Sequence, residues 1–283
     1  LVNIPQGLMA AQKVNSVKRV LVFDSGIGGL SVLDAILASG HGLELDYVAD
    51  TAWLPYGLKS DIELRARVPA LLARVAAQWT PDLVVLACNT ASTIALDPVR
   101  AALSVPVVGV VPPVKPAAAL TRTGIIGLLA TPATVQRAYT TDLIAKFAAD
   151  KRVIRYGSAA MVEAAERKLR GAPFDASAVT EAIEGLFGAP GGAEIDVVAL
   201  ACTHFPLLAP ELAAAAPRAC VWLDSGEAIA RRVANLLIAG KGAAQCRRAA
   251  FTDAERAREV LPAFHARGFS AFARIDAAPA FDV

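Results

Sequence analysis

The sequence predicts an α/β fold of two pseudosymmetric, doubly wound parallel-sheet domains that face a central cleft. Short, almost continuously apolar runs alternate with longer amphipathic runs, which is typical of parallel strands covered by helices on both faces. Two pairs of strand ends also resemble each other: residues 84–90 resemble 197–204, and residues 23–26 resemble 223–226. A duplicated architecture would explain these echoes, and chance similarity between apolar strand ends is the alternative.

The alternating runs divide the chain into elements. Strands are predicted at 20–23, 44–49, 83–87, 107–111, 125–129, 153–156, 195–201 and 221–223. Helices are predicted at 30–37, 61–78, 134–149, 160–170, 178–187 and 227–238. Pro69 lies within the second helix and is expected to kink or split it, because proline removes a helical hydrogen bond. From Gly240 onward, a helix and a strand are expected to return to the first domain.

These elements give a prediction for the domains. The first domain is expected to comprise residues 18–111 and 225–283, and the second residues 112–224. Residues 1–13 lack the charged start and apolar core of a secretory signal and are interpreted as a loose extension.

Composition argues against several classes of protein. With 283 residues, 55% of them hydrophobic, the chain can bury a large core, yet it has no uninterrupted apolar run of the length that a membrane span needs. A net charge of +2 and 6% aromatic residues provide no basic stripe with stacking side chains, so nucleic-acid binding has no support. The four cysteines are too few and too scattered for a disulfide framework, and no CxxC pair indicates zinc, which favours a reducing, cytoplasmic setting.

Two of the cysteines occupy a context that favours chemistry. Cys88 and Cys202 each end an apolar strand after Ala, and the residues that follow are Asn-Thr and Thr-His. In open α/β sheets ligands bind at the carboxyl ends of strands, where backbone N–H groups and a helix N-terminus can lower the pKa of a thiol. The alternative for any one cysteine is simple burial in the core, which is the interpretation for Cys220 and Cys246.

Polar segments after other strands complete a candidate site. His204 lies two residues from Cys202, where it could orient the thiol or carry its proton. The loop at 24–29, Asp-Ser-Gly-Ile-Gly-Gly, follows a strand and opens a helix, which favours an anion site with Ser25 and backbone N–H groups receiving a carboxylate. Asp24 could hold an ammonium group or assist a thiol. The loop at 50–57 contains Pro-Tyr-Gly, which can present N–H groups to a second carboxylate. Plain turns are the alternative for both loops.

Taken together, these segments resemble the glutamate racemases of the cofactor-independent aspartate/glutamate racemase superfamily. The resemblance runs from Val20 to about Arg232 and is carried by Phe-Asp-Ser-Gly-Ile-Gly-Gly, Pro-Tyr-Gly, Ala-Cys-Asn-Thr-Ala-Ser, Val-Val-Gly-Val-Val-Pro-Pro-Val-Lys-Pro-Ala-Ala and Ala-Cys-Thr-His-Phe-Pro. It implies two α/β domains that hold glutamate between them, no cofactor or metal, and cytoplasmic supply of D-glutamate for peptidoglycan.

The resemblance also implies roles for single residues. Cys88 would deprotonate the D-enantiomer and Cys202 the L-enantiomer, with Asp24, His204 and Glu163 assisting. The substrate-binding residues that it implies are Asp24, Ser25, Pro55, Tyr56, Gly57, Asn89, Thr90, Thr134, Thr203 and His204. For Glu163, a solvated position on a helix is the alternative.

The chain departs from the family pattern at three positions. Ala201 and Ala133 stand where glycine is more usual, and Phe205 stands where tyrosine is common. The Pro-Pro-Val-Lys-Pro segment and the N-terminal extension are similar to the branch activated by a UDP-muramoyl-alanine precursor. The protein is expected to be a monomer or a homodimer.

Two alternatives from other classes remain at this stage. An aspartate or hydantoin racemase would keep both cysteines and change the carboxylate pocket. A non-catalytic binding protein would use the same cleft to hold an amino acid, and it would not exchange the α-proton of its ligand.

Overall fold

The computed structural model describes residues 17–275, so the predicted N-terminal extension and residues 276–283 lie outside the described part. The strands are β1 Lys18–Asp24, β2 Leu43–Ala49, β3 Leu83–Leu86, β4 Val107–Gly109, β5 Ile125–Ala130, β6 Arg152–Gly157, β7 Val197–Leu200, β8 Val221–Leu223, β9 Gln245–Phe251 and β10 Ala271–Arg274. They form a six-stranded sheet in the order β10-β9-β2-β1-β3-β4 and a four-stranded sheet in the order β6-β5-β7-β8. Every pairing within these sheets is parallel.

The two sheets repeat one topology. Numbered from its own first strand, each contains the order 2-1-3-4, which confirms the predicted pair of doubly wound parallel sheets. In this order the chain reverses direction between strands 1 and 3, and ligands bind at that switch point. The switch points lie between β1 and β3 in the first sheet and between β5 and β7 in the second.

This topology separates the two sequence echoes. Residues 84–90 and 197–204 contain β3 and β7, which hold equivalent places in the two sheets. Residues 23–26 end β1, whereas residues 223–226 end β8, and β8 is equivalent to β4 rather than to β1. The second echo was therefore wrong as evidence of duplication, because short polar turns follow apolar strands in many places.

The helices lie between the strands and cover both faces of each sheet. They are α1 Leu30–Leu37, α2 Asp61–Trp79, α3 Asn89–Ala102, α4 Val114–Leu120, α5 Pro132–Gln136, α6 Ala138–Phe147, α7 Ala160–Leu169, α8 Ser177–Phe187, α9 Ala209–Ala215, α10 Gly226–Leu237 and α11 Ala254–His265. The predicted helix at 134–149 is two helices, because the backbone of Arg137 is extended. Helices α3, α4 and α9 were not predicted.

Helix α2 is continuous through Pro69, so of the two predicted effects the split does not occur, and the kink stays a prediction. Its start is fixed by a capping box, in which the Ser60 hydroxyl accepts from the Glu63 N–H and the Glu63 carboxylate accepts from the Ser60 N–H. Leu64, Val68 and five further residues along its length are buried against the first sheet. This tertiary packing offsets the local cost of proline.

The C-terminal part of the chain enlarges the first sheet. Strand β9 pairs with β2, and β10 pairs with β9, so the segment contains two strands around α11 where one strand was predicted. Phe264 of α11 makes edge contacts with Tyr47, Phe251 and Phe269 at centroid distances of 5.1–5.3 Å. The first sheet thus takes its strands from residues 18–109 and 245–274, and the second from residues 125–223. Domain limits at 111/112 and 224/225 stay a prediction.

Within residues 17–275, no helix is both long and apolar enough to cross a bilayer.

Candidate active site

A cavity of about 880 Å³ opens at the carboxyl ends of strands from both sheets. Its wall includes the segments that follow β1, β3, β5 and β7, which are the strands at the two switch points. Every predicted site residue lines it, including both cysteines, the Pro-Tyr-Gly loop, Thr134 and Glu163. The fold therefore gathers side chains from distant parts of the sequence around one space of a size typical of small-molecule sites.

Cys88 forms the N-cap of α3 and is 6% exposed. Its sulfur lies 3.7 Å from the hydroxyl oxygen of Ser25, which follows the neighbouring strand β1. Burial raises the pKa of the Cys88 thiol far above its ordinary value, and the negative charge of Asp24 raises it further. The Ala91 N–H and the Ser25 hydroxyl act in the opposite direction. Without a ligand, these surroundings favour the protonated thiol.

Asp24 is fully buried, and its two carboxylate oxygens differ. Oδ2 accepts hydrogen bonds from the N–H groups of Gly29 at 3.0 Å and Gly26 at 3.3 Å. Oδ1 has no hydrogen-bond partner among the described residues. Burial raises the pKa of Asp24, while the nearby His204 and the loop N–H groups lower it. A buried acceptor that lines a cavity without a partner is a site for a cationic ligand group.

Cys202 follows β7 and is also 6% exposed, but its neighbours differ from those of Cys88. Its sulfur lies 3.8 Å from Nδ1 of His204, and Nε2 of His204 lies 2.8 Å from Oε1 of Glu166. Although burial alone lowers the pKa of His204, its hydrogen bonds with Cys202 and Glu166 raise it well above the ordinary value. A charged imidazole is thereby favoured beside the second thiol, where it can stabilise a thiolate.

Glu166, rather than the predicted Glu163, is the carboxylate next to His204. Both lie on α7 and line the cavity, but Glu163 is exposed and Glu166 is buried. Three residues along an α-helix rotate the side chain by roughly 60°, which separates the exposed position of Glu163 from the buried position of Glu166. Burial is the largest single effect and raises the pKa of Glu166, but the hydrogen bond and charge of His204, the Ile27 N–H and the charge of Arg170 together lower it below its ordinary value. The i,i+4 spacing to an arginine does not separate the two carboxylates, because Glu163 has it to Arg167 and Glu166 has it to Arg170.

Backbone N–H groups of the glycine-rich loop at 24–29 donate hydrogen bonds to carboxylates of the protein itself. Gly26 and Gly29 donate to Asp24, and the Ile27 N–H donates to Glu166 at 3.3 Å. The prediction that these N–H groups receive a ligand carboxylate was therefore wrong for these three donors. A Cβ on Gly28 would lie 2.4 Å from Nδ1 of His204, so the absence of a side chain there lets the imidazole approach the loop.

The loop at 50–57 is held by a buried ion pair. Asp50 receives hydrogen bonds from Arg67 at 2.6 and 2.7 Å, from the Tyr56 hydroxyl at 2.6 Å and from Thr252 at 2.7 Å. The Arg67 guanidinium also stacks on Trp53, 4.3 Å from the ring centroid. Because Asp50 engages the Tyr56 hydroxyl, the Pro-Tyr-Gly segment can meet a ligand through its backbone N–H groups.

The remaining predicted residues lie at the starts of helices. Asn89 and Thr90 begin α3, where backbone N–H groups and the helix dipole favour an anion, and Oδ1 of Asn89 has no hydrogen-bond partner among the described residues. Thr134 is fully buried, 2.9 Å from the hydroxyl of Thr131, which caps α5. Alanine at 133 is accommodated in this helical turn. The Thr203 carbonyl accepts from Ser31 at 2.7 Å.

Of the four cysteines, Cys220 and Cys246 are only half-buried and do not line the cavity formed by the described residues. Burial raises the pKa of Cys220 to about 11 and that of Cys246 to about 12. Both pack against the hydrophobic core as partly buried residues, so the burial expected from the sequence is met only in part.

Known proteins share both this sequence and this fold. The family described as Asp/Glu/Hydantoin racemase matches residues 30–233. A glutamate racemase of Sphingopyxis alaskensis is 54% identical over 217 residues, which is 77% of this chain and 81% of the relative. One of Vibrio cholerae is 49% identical over 222 residues, covering 78% and 82% of the two chains. The chain belongs to the glutamate racemase family.

Solved structures of the family agree. Glutamate racemase of Escherichia coli, in complex with L-glutamate and the activator UDP-MurNAc-ala, superposes with a TM-score of 0.84 at 42% identity, covering 93% of this chain and all of that one. The enzyme of Thermus thermophilus, in complex with beta-chloro-D-alanine, gives 0.72 at 30% identity, covering 92% and 97%. Membership confirms the resemblance seen in the sequence and makes this chain a racemase, which excludes the alternative of a non-catalytic binding protein.

Proposed function

We propose that the chain interconverts L- and D-glutamate by transfer of the α-proton, with Cys88 and Cys202 as the two acid/base groups and without a cofactor. The observation that carries this proposal is that two buried thiols, one from the switch point of each sheet, line the same cavity. Inversion at the α-carbon needs proton traffic on both faces, and a pair of groups from two walls can serve both.

The substrate is oriented by groups that match its three charges. Oδ1 of Asp24, which has no hydrogen-bond partner within residues 17–275, takes the ammonium group. The first N–H groups of α3, together with Asn89, Thr90 and Thr203, take the α-carboxylate, where negative charge accumulates in the transition state. The Pro-Tyr-Gly loop, with Ser25 and Thr134, takes the distal carboxylate.

Each turnover moves one proton off the α-carbon and one onto it. From L-glutamate, the Cys202 thiolate takes the α-proton, so that an S–H bond forms while the C–H bond breaks and its electron pair stays on the substrate. The Cys88 thiol then delivers its proton to the opposite face and becomes the thiolate. D-glutamate reacts by the reverse path, beginning with the Cys88 thiolate.

The surroundings of each thiol suit this exchange. Burial, together with the charge of Asp24, raises the pKa of Cys88, which keeps its proton available for the L-to-D direction. An ammonium group on Asp24 offsets that charge, and the thiolate left after proton delivery then becomes less costly. At Cys202, the imidazole of His204, held by Glu166, stabilises the thiolate that starts the reaction. Glu163 is an alternative assisting carboxylate with a weaker case, because it is exposed.

Membership of the glutamate racemase family also suggests a cellular role and an activator for this chain. We propose that the product supplies D-glutamate for peptidoglycan, in the cytoplasm, because reactive thiols persist in a reducing compartment. Activation by UDP-MurNAc-ala is proposed on the likeness to the Escherichia coli structure. An unchanged turnover at saturating activator would contradict it.

The test is incubation with L-glutamate in D₂O without pyridoxal phosphate, with circular dichroism following optical activity and mass spectrometry following deuterium at the α-carbon. Loss of the optical signal with one deuterium in each inverted molecule is the expected result. If no exchange occurs with or without activator, aspartate and hydantoins become the substrates to try, and the glutamate proposal fails.

A further inference from the structure

Arg170 connects two carboxylates that come from opposite parts of the fold. It follows α7, which lies between strands of the second sheet, and its Nη2 is 3.1 Å from Oε2 of Glu166. Its Nη1 is 3.4 Å from Oε2 of Glu259 on α11, which lies between two strands of the first sheet. All three side chains line the cavity. The guanidinium therefore joins the two walls of the cleft.

Glu166 connects Arg170 to the reacting thiol of Cys202 through His204. One of its oxygens faces Arg170, and the other contacts Nε2 of His204 at 2.8 Å, whose Nδ1 lies 3.8 Å from the sulfur of Cys202. The side chain of Glu166 is only 7% exposed, so its charge needs partners within the protein. Loss of the Arg170 contact removes the partner of Oε2 and loosens the carboxylate on that side, while His204 and the Ile27 N–H still hold Oε1.

We propose that Arg170 is a positioning residue for racemisation: it holds Glu166 against His204, and through Glu259 it makes this arrangement depend on contact between the two cleft walls. The inference rests on the proposed function for its effect on turnover. Its effect on the Cys202 thiol follows from the contacts alone. A Lys at this position would keep the charge and lose the fork that contacts both carboxylates at once.

A second ion pair across the cleft provides a matched control. Nη2 of Arg137, between α5 and α6, lies 3.3 Å from Oδ1 of Asp61 at the start of α2. Asp61 is 67% exposed, and neither residue lines the cavity formed by the described residues. Asp61→Asn therefore removes the charge from a bridge between the two walls without touching Glu166 or His204, as Glu259→Gln does at the other bridge.

The experiment combines kinetics with alkylation of individual cysteines by iodoacetamide. Each of the four cysteines lies in a different tryptic peptide, so the rate at Cys202 can be compared with the rate at Cys88 in the same sample. We expect Arg170→Met to lower kcat about tenfold, the equivalent of one lost charge-assisted hydrogen bond, with little change in KM. Alkylation of Cys202 should slow several-fold while that of Cys88 stays constant. Arg170→Lys should recover part of both losses, Glu259→Gln should show a smaller loss of the same kind, and Asp61→Asn should show neither.

Two outcomes would overturn the inference. Equal changes at both cysteines, or none at either, would mean that Arg170 contributes only to general stability. The same loss in Asp61→Asn would assign the effect to wall contact rather than to Glu166. If the wild-type protein does not racemise glutamate, the proposed function fails on its own, and the contrast in alkylation still decides the role of Arg170.

Discussion

The two cysteines occupy equivalent places in the two sheets and have opposite surroundings. Cys88 caps a long helix beside a hydroxyl and a buried carboxylate. Cys202 precedes a short 3-10 helix, Phe205–Leu208, beside an imidazole that is itself paired with a carboxylate. Negative charge therefore faces the first thiol, and a group that can carry positive charge faces the second.

This difference shows what a repeated topology contributes to a site and what it leaves to individual residues. The order of strands brings both thiols to one cavity, because the switch point recurs in each sheet. The loops after β1 and β7 then decide the charge beside each thiol. A reaction that inverts one carbon needs acid and base on its two faces, and a symmetric frame with unlike neighbours meets that need.

The strongest test of the comparison removes each thiol in turn. Cys88→Ala and Cys202→Ala should each lower racemisation by roughly 10³-fold or more, because general acid–base groups contribute up to about 10⁴-fold and the reaction needs both. Circular dichroism with each enantiomer measures this, and thermal unfolding checks that both variants fold. Near-normal turnover in either variant would end the two-base scheme.

Removing the imidazole of His204 should affect the thiol of Cys202 and leave that of Cys88 unchanged. His204→Asn should lower turnover by about 100-fold and slow alkylation of Cys202, since the thiolate loses its stabilising partner. The rate at Cys88 in the same sample is the internal control. A parallel fall at Cys88 would mean that His204 supports the cavity as a whole.

Removing the carboxylate of Asp24 should make the Cys88 thiol react faster, whereas removing the imidazole of His204 should make the Cys202 thiol react more slowly. After burial, the charge of Asp24 is the next cause that raises the pKa of Cys88, so Asp24→Asn should lower that pKa and speed alkylation of Cys88 at pH 8. Racemisation should still fall, by roughly tenfold, because the ammonium site is lost. Slower alkylation of Cys88 would contradict the assigned direction of the charge effect.

The loop beside His204 allows a finer test. Gly28→Ala should lower turnover several-fold and leave binding of substrate less affected, because a Cβ would lie 2.4 Å from the imidazole and must displace it. Gly240→Ala is the matched control, since a Cβ there meets nothing within 4 Å. Equal behaviour of the two variants would remove Gly28 from the account.

A last test concerns stability and its dependence on pH. Burial acts to lower the pKa of His204, but its hydrogen bonds raise it well above 6.5, so the contribution of its pair with Glu166 is complete below pH 6.5 and is lost as the pH rises through the higher folded value. The pKa of Glu166 is lowered, so at the acid end the contribution is complete above about 4.5 and is lost as the pH falls through the lower folded value.

Glu166→Gln should therefore lower the free energy of unfolding by about 2 kcal/mol near pH 6, and by less as the pH approaches 10. Urea unfolding of the variant and the wild-type protein across this range measures the difference. A constant difference would show that protonation of His204 is not linked to folding through Glu166.

Much of this architecture could be predicted from the sequence because the signals are local. Continuous apolar runs predict the strands through β8, and the polar residues that follow them predict side chains that the fold brings to one cavity. Helix α3 was not predicted, because its first residues, Asn-Thr, are polar and its buried positions Ile94, Ala95 and Val99 follow only later along the helix.

The sequence does not distinguish the carboxylate beside His204, because the choice depends on how α7 packs in the fold. Glu163 and Glu166 both stand in one helical run with an arginine four residues later, and only the tertiary structure leaves Glu163 exposed and Glu166 buried. Arg170 and Glu259 are farther from prediction, since their contact joins two helices that no local pattern relates.

The hydrogen bonds around Asp50, from Arg67, Tyr56 and Thr252, imply an order of formation during folding. Thr252 donates to Asp50 from 202 positions later in the chain, where β9 has just ended. Until that strand has been made and has docked beside β2, the buried carboxylate that holds Tyr56 lacks one of its donors. Closing so long a segment of chain is a slow step. We therefore expect the hydrogen bonds that hold the Pro-Tyr-Gly loop to be complete only after β9 has docked beside β2.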